Sequence, residues 1–212
     1  DWPSRWAMEL DSRPARLDAV AQLRHFYDTF HELNIAVDFV TPEADWSKYK
    51  LVIAPPLYML TQRAADNAVE FVKKVGTFIT TFFSGIVDEN DRVHLGGYPA
   101  PLRDVLGIWV EESHPHPREY SGVINMEGTK SSAGYSHWED MVHLKSAQAL
   151  ATFSRNDFYA GRPAITLNKS GKGRAYYFAA QFDQKFQREF LEDACDELEI
   201  EPALKTPAQV EA

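Results

Sequence analysis

Apolar residues recur every three or four positions in three stretches of the chain, and this spacing predicts three amphipathic helices. The first helix is predicted over residues 14–34, the second over residues 61–75 and the third over residues 183–198. Thr61 and Asp183 stand at the start of the second and third stretches, where their side chains can cap the free N–H groups of a helix. Each helix has one apolar face, so each is expected to pack against a sheet.

Runs rich in β-branched and aromatic residues lie between and after these helices. Strands are predicted at residues 36–41, 51–54 and 77–83, and the last run is continuous enough in β-formers to be buried on both faces. Shorter strands are predicted at residues 108–111, 122–126, 141–144, 149–153, 164–167 and 174–179, with a hairpin turn at 168–173. Loops are predicted at residues 1–13, 111–118 and 128–134.

The order helix, strand, strand, helix, strand predicts a parallel sheet covered by helices, because parallel strands need crossover connections. We therefore predict an α/β fold with a doubly wound, mostly parallel sheet of the flavodoxin type, extended by short strands in its second half. A doubly wound unit ordinarily opens with a strand, so we expect the first strand to lie upstream of Asp1. Residues 1–201 are expected to form one domain, and residues 202–212 a linker to a further domain.

The composition narrows the classes of function. The chain of 212 residues has a formal net charge of −9, which argues against nucleic acid or an anionic membrane as a partner, because both need a basic face. No apolar run approaches the roughly 20 residues that a membrane helix needs. The single cysteine, Cys195, excludes an intrachain disulfide and fits a cytoplasmic protein.

The loop that leaves the strand at 77–83 is where an open parallel sheet would place a site. Ser84 could be a nucleophile on a strained turn, but that turn needs a small residue two positions earlier, where this chain has Phe82. A hydroxyl that stabilises its own turn is the simpler interpretation. Asp88, Glu89 and Asp91 could include an acid–base pair for glycoside hydrolysis, although acids this close together are more typical of turns.

Two other groups contain residue types found in metal sites or among nucleophiles, but the sequence lacks the further residues that those functions need. His114 and His116 could both face a metal ion, yet a zinc site needs three or four ligands and the sequence shows no third. Cys195 is surrounded by acids, which raise the pKa of a thiol, so we predict that it packs rather than reacts. No metal ion and no cofactor are predicted.

Four stretches resemble the middle domain of the family 42 glycoside hydrolases, the β-galactosidases, which is usually called their trimerisation domain. They are AMELDS (7–12), VDFVTPEADWSKYKLVIAPPLYMLT (37–61), FFSGIVDENDRVHLGGYPAPLRDVLGIWVEE (82–112) and NDFYAGRPAITLNKSGKGRAYYFA (156–179). They follow the expected order through nearly the whole chain, so the resemblance is specific. Segment 111–138 resembles the family least.

The resemblance implies a class I glutamine amidotransferase-like fold within a longer enzyme. Family members have an amino-terminal (β/α)₈ barrel, this α/β domain and a small carboxyl-terminal β domain, and they assemble as homotrimers. The two catalytic glutamates of the retaining mechanism lie in the barrel, and neither motif is present here, so no catalytic residue is carried over. The resemblance also implies an apolar strand just before the position of Asp1.

Contacts between subunits, or with the rim of a neighbouring active site, are expected from loop residues with large or polar side chains. The candidates, chosen by loop position and residue type, are Trp2, Trp6, Tyr58, Phe83, Ser84, Asp88, Glu89 and Asn90. Two other functions remain open on the sequence alone. One is an independent amidotransferase-like or hydrolase enzyme, which needs a histidine beside the Ser84 hydroxyl. The other is a sugar-binding module, which needs several exposed, coplanar aromatic side chains.

Overall fold

The computed structural model describes residues 2–9, 17–117, 119–154 and 158–203. Its helices are α1 (Trp2–Glu9), α2 (Ala19–Glu32), α3 (Gln62–Lys74), α4 (Arg103–Leu106) and α5 (Gln184–Glu197), and a 3-10 turn at Ala100–Leu102 precedes α4. Its strands are β1 (Leu51–Ala54), β2 (Thr77–Thr81), β3 (Ile108–Pro115), β4 (Gly122–Met126), β5 (Ser132–Leu144), β6 (Gln148–Phe153), β7 (Pro163–Ser170), β8 (Gly173–Phe178) and β9 (Ala180–Phe182).

All nine of these strands belong to one sheet, in the order β1-β2-β8-β7-β6-β4-β5-β3, with β9 paired to β5. The predicted α/β class is confirmed. Parallel pairing joins β1 to β2 and β2 to β8, and the other strand pairs are antiparallel. The antiparallel share is larger than we predicted, because the short runs of the second half pair with one another. The predicted hairpin, for example, joins β7 to β8.

Helices cover the parallel strands on both faces, as a doubly wound arrangement requires. On one face, Trp46 stacks on Phe78 of β2 with ring centroids 5.9 Å apart, and Phe71 of α3 meets Trp46 edge-on at 5.8 Å. On the other face, Phe178 of β8 contacts Phe26 of α2 at 6.3 Å and Phe190 of α5 at 5.1 Å. Strand β2 is consequently buried along its whole length, which its continuous run of β-formers predicted.

The predicted helix starts are confirmed for α3 and α5. Thr61 Oγ1 accepts a hydrogen bond from Ala64 N at 3.1 Å, and Asp183 Oδ1 accepts one from Phe186 N at 2.8 Å. Each side chain satisfies an N–H group that has no partner within the first turn of its helix. Helix α2 begins at Ala19, and the part of its prediction at residues 14–16 lies outside the described residues.

Several loop or strand predictions were wrong. The predicted loop at 128–134 includes the first residues of β5, which spans Ser132–Leu144 and is much longer than the predicted strand at 141–144. Residues 2–9 form helix α1, whose two turns are too short for a periodic pattern to be read from sequence. Residues 36–41 are not a strand, because no neighbouring chain among the described residues pairs with them. Residues 111–115 continue β3, and Pro115 is tolerated because it ends an edge strand.

A groove separates residues 36–40 from β1, which forms one edge of the sheet. Its volume is about 620 Å³, and its walls come from α2, from the loop after α2 and from β1. Tyr27 of α2 and Phe39 lie along it, with ring centroids 5.6 Å apart, and both side chains are exposed. We call this feature, between residues 36–40 and 51–54, the edge groove.

Candidate functional site at the carboxyl end of the second strand

A second hydrophobic cluster, separate from the main core, lies where the chain leaves β2. It joins α1 and β5 to the loop at residues 82–99, and its buried members are Met8, Leu17, Phe82, Phe83, Ile86, Val87 and Trp138. The loop is therefore anchored from beneath by apolar packing. Each predicted candidate residue lies in this loop, in α1 or in the segment after β1.

Phe83 supports this surface from within the domain. Its backbone adopts a left-handed conformation with φ of 56°, and its ring lies 5.1 Å from Tyr58 and 4.6 Å from Trp138. The Phe83 side chain is buried, whereas Tyr58 is half-buried. The Phe83 ring is therefore largely covered within its own chain, and its contact with a neighbouring subunit stays a prediction.

Ser84 is also buried, and its hydroxyl is directed into its own loop. Ser84 Oγ accepts hydrogen bonds from Leu57 N at 3.0 Å and from Thr80 Oγ1 at 3.0 Å. The neighbouring Gly85 adopts φ of 61° and donates its N–H to Leu57 O at 2.8 Å. These bonds tie the loop to the segment after β1. The hypothesis that Ser84 is a nucleophile was wrong, and Ser84 does not form a surface contact either.

The acidic turn at residues 88–91 is organised by one of its carboxylates. Asp88 Oδ1 accepts hydrogen bonds from Asn90 N at 2.8 Å and from Arg92 N at 3.0 Å. These backbone N–H groups, Arg92 first, hold the pKa of Asp88 below its ordinary value because they stabilise the charged form. The interpretation of Asp88 as a turn former is confirmed. Glu89 and Asn90 extend from the turn into solvent.

A fully buried carboxylate, Asp140 of β5, lies directly behind the loop. It accepts hydrogen bonds from Phe83 N at 3.1 Å, Trp138 Nε1 at 3.1 Å and Tyr177 Oη at 2.5 Å. Burial raises the pKa of Asp140 to about 6, and these donors oppose that rise. Sequence reasoning missed Asp140, because two of its partners, Phe83 and Tyr177, are far from it in sequence.

Helix α1 presents two aromatic side chains to solvent. Its inner face carries Ser4 and Met8, and Ser4 Oγ is hydrogen-bonded to Met59 N and Met59 O, both at 3.1 Å. On the outer face, Trp2 is 66% exposed and Trp6 is 58% exposed. Large apolar groups are rarely left this open on a surface that contacts only water, so this face has the composition of an interface.

The remaining tryptophans do not extend this aromatic surface. Trp46 and Trp138 are buried in the two hydrophobic clusters, and Trp109 stacks on His143 with ring centroids 4.1 Å apart. Cys195 is buried in α5, where burial first, and then Asp196 and Glu192, raise its pKa to about 11. The predicted packing role of Cys195 is confirmed.

The structure brings a third potential ligand to the two histidines of segment 111–118. Strand β3 places His114 directly opposite Glu139 of β5, and His116 lies two residues further along. Glu139 Oε1 is 3.4 Å from His114 Nδ1 and 3.0 Å from His116 Nε2. The alternation of His-Pro-His was a usable signal, because residues two apart in a strand share a face. We did not use this signal, because residues 111–118 were predicted to be a loop.

The structure is an α/β domain in which the loop after β2 is packed against its own chain and the outer face of α1 is exposed. Comparison with known families identifies the class of this domain. The model of the β-galactosidase trimerisation domain matches residues 1–201, and the chain belongs to that family. No helix in the described part of the chain is long and apolar enough to cross a membrane.

Relatives from several bacteria match along the full chain. It is 46% identical over 217 residues to the β-galactosidase BgaA of Planococcus sp. (strain 'SOS Orange'). It is 44% identical over 212 residues to the β-galactosidase BgaB of Geobacillus kaustophilus. The match covers 100% of this chain but 32% and 31% of those relatives, so the chain spans about a third of their length.

Solved structures match the fold equally well. The crystal structure of β-galactosidase from Bacillus circulans sp. alkalophilus gives a TM-score of 0.95 at 41% identity, over 100% of this chain and 32% of that one. The β-galactosidase from Rahnella sp. R3 gives a TM-score of 0.92 at 39% identity, over 98% of this chain and 31% of that one. The described fold is thus that of one region within longer enzymes.

Proposed function

We propose that this chain is the non-catalytic oligomerisation domain of a cytoplasmic family 42 β-galactosidase that hydrolyses terminal β-D-galactosides as a homotrimer. The observation that supports this proposal most directly is the match of the trimerisation domain model to residues 1–201. The packed loop after β2 supports the non-catalytic part, because the Ser84 hydroxyl and the Asp88 carboxylate both bond to their own loop. Catalysis then belongs to a separate barrel domain, and residues 202–212 link this domain to a carboxyl-terminal β domain.

In this proposal the outer face of α1 is part of the contact between subunits. A cyclic trimer needs two different, complementary patches on each subunit, and ring closure leaves no patch open. Trp2 and Trp6 provide the apolar part of one patch, and tryptophan is among the residues that contribute most to such contacts. Tyr58 stacks on Phe83 and packs against the same hydrophobic cluster as Met8 of α1. The exposed turn with Asp88, Glu89 and Asn90 is the part that we propose reaches the rim of a neighbouring active site.

Sedimentation of the full-length enzyme tests this assignment. We expect Trp6→Ala, and to a smaller extent Tyr58→Ala, to shift the enzyme from trimer towards monomer at micromolar concentration. The expected loss for a central tryptophan is roughly 2–4 kcal/mol of association free energy. Phe158→Ala is the matched control, because Phe158 is also an exposed aromatic residue but lies between β6 and β7. An unchanged trimer in both test variants would remove Trp6 and Tyr58 from the interface.

A further inference from the structure

The cluster formed by His114, His116 and Glu139 has the geometry of a metal site. Its three ligand atoms all lie within 4.8 Å of one another, and both imidazole nitrogens face the same carboxylate oxygen, Glu139 Oε1. Ligands that bind one Zn²⁺ at about 2.0–2.1 Å in a tetrahedron are about 3.3 Å apart. The distances of 3.0 Å and 3.4 Å to Glu139 Oε1 are close to that separation, so an ion fits with small side-chain movements.

Surrounding groups hold two of the three side chains in a fixed orientation. Glu139 Oε2 accepts a hydrogen bond from Tyr135 Oη at 2.5 Å, and Tyr135 Oη is 3.0 Å from Tyr120 Oη. The ring of Tyr120 also stacks on His116, with centroids 3.6 Å apart and planes 4° apart. Hydrogen bonds to the far side of a ligand are a regular feature of metal sites, because they fix its orientation before the ion binds.

The burial of the three groups leaves one side of the cluster open. The side chains of Glu139 and His116 are 1% and 6% exposed, whereas that of His114 is 48% exposed. An ion could therefore enter past His114 and complete its coordination with water. Two imidazoles and one carboxylate are ligands typical of transition metals, whereas Mg²⁺ and Ca²⁺ prefer oxygen ligands alone.

We propose that His114, His116 and Glu139 bind one divalent transition metal ion, with Zn²⁺ the best match to this ligand set. The ion joins β3 to β5 at the edge of the sheet, so its role is to stabilise this pair of strands rather than to act on the galactoside. The site is independent of the proposed interface on α1. The alternative is an ion pair between protonated His116 and Glu139 that needs no metal.

Cobalt titration distinguishes a metal site from a metal-free ion pair. The titration uses the full-length polypeptide, expressed without a histidine tag and treated with a chelator. Visible absorption of Co²⁺ reports histidine ligation directly. We expect the wild-type protein to bind one more equivalent of Co²⁺ per chain than His116→Ala, and Zn²⁺ to displace it. Tyr135→Phe keeps all three ligands, so we expect the affinity to fall roughly 10- to 100-fold with one equivalent still bound.

His143→Ala is the matched control, because the same two strands carry a second histidine–carboxylate pair. His143 Nε2 lies 2.6 Å from Glu111 Oε2, without a third ligand among the described residues. This variant should bind as much Co²⁺ as the wild type. Circular dichroism shows whether His116→Ala is folded, and Glu139→Gln serves as the ligand variant if it is not. Wild-type protein without a Co²⁺ absorption band, or equal binding by wild type and a folded ligand variant, overturns the proposal.

Discussion

At Asp140 a single carboxylate joins three segments that are distant in sequence: the loop after β2, strand β5 and strand β8. Because it is fully buried, ionisation costs free energy, and its pKa rises from 3.8 to about 6. Its contribution to stability is therefore greatest below about pH 3.8 and is lost as the pH rises through 6. Above that pH the hydrogen bonds to Asp140 stabilise its charged form and reduce the free-energy cost of burying that charge.

Tyr177→Phe tests this account. The substitution removes one donor to the ionised carboxylate, so the pKa of Asp140 should rise further. At pH 7.5 we expect the free energy of unfolding to fall by about 1.5–3 kcal/mol, which is typical of a hydrogen bond to a charged group. The loss should be smaller at pH 4.5, where Asp140 is protonated in both proteins. Urea unfolding at the two pH values measures both quantities.

Tyr49→Phe is the control for that experiment, because Tyr49 also donates to an aspartate, Asp38, at 2.8 Å. That pair is exposed, and solvent replaces the lost hydrogen bond, so we expect a change of less than about 0.5 kcal/mol. A Tyr177→Phe deficit that is equal at the two pH values would show that Asp140 does not titrate between them.

Single residues were predictable from the sequence where their chemistry is local. The turn-forming role of Asp88 follows from backbone N–H groups within a few positions. The acids beside Cys195 also indicate an unreactive thiol, although its burial in the core is the larger cause of its raised pKa. Asp140 and Glu139 were not predictable, because their partners are brought together only by strand register. The burial of the Phe83 ring could not be predicted either, because it depends on packing against Trp138, which is distant in sequence.

At the scale of elements, the connection from α4 to β3 depends on the backbone of one glycine. Gly107 adopts φ of 65°, and its carbonyl accepts hydrogen bonds from the N–H groups of Lys145, Ser146 and Ala147 at 2.8–3.1 Å. A Cβ atom at this position would lie 2.6 Å from Asn168 Cγ and 2.6 Å from Ser146 Oγ. The turn therefore requires both the left-handed conformation and the absence of a side chain.

We consequently expect Gly107→Ala to be more destabilising than the same substitution at a left-handed glycine that has free space around it. The left-handed backbone costs about 1–2 kcal/mol, and overpacking adds about 1–3 kcal/mol. Gly128→Ala provides the comparison, because Gly128 has φ of 72° and a Cβ atom there would meet no other atom within 4 Å. Chemical unfolding measures both variants. Equal losses would mean that the neighbours of Gly107 move aside.

Elements were predictable wherever a cap or a long apolar pattern defines them. Helices α3 and α5 begin directly after their predicted cap residues, because the Thr61 and Asp183 side chains each accept a hydrogen bond from an N–H group of the first turn. Helix α1 was missed because it has only two turns. Residues 36–41 are rich in β-forming side chains, but a strand also needs a neighbouring strand for its hydrogen bonds. The composition of one segment does not show whether such a neighbour is present.

At the scale of the whole molecule, the edge groove indicates where the parallel part of the sheet can be extended. Strand β1 ends the sheet on this side, and residues 36–40 run past it with Val37 and Phe39 exposed. A strand inserted between them would pair with β1 and would give residues 36–41 the partner that they lack within the described chain. The expected strand upstream of residue 1 stays a prediction. Helix α1 contributes Ser4 and Met8 to the lining of the groove.

We therefore expect the chain to become more stable when an apolar β-strand segment is fused ahead of residue 1, because that segment can pair with β1. Burying two or three apolar side chains contributes about 1.5–3 kcal/mol each, and a domain of this size gains roughly 2–4 °C in Tm per kcal/mol. The extended chain should thus melt at least about 5 °C higher than the 212-residue chain. A glycine–serine extension of equal length is the control, and it should leave Tm unchanged because it has no apolar side chains to bury. Amide hydrogen exchange locates the effect: protection should increase at residues 36–41 and in β1, and increased protection elsewhere alone would place the upstream segment outside the groove.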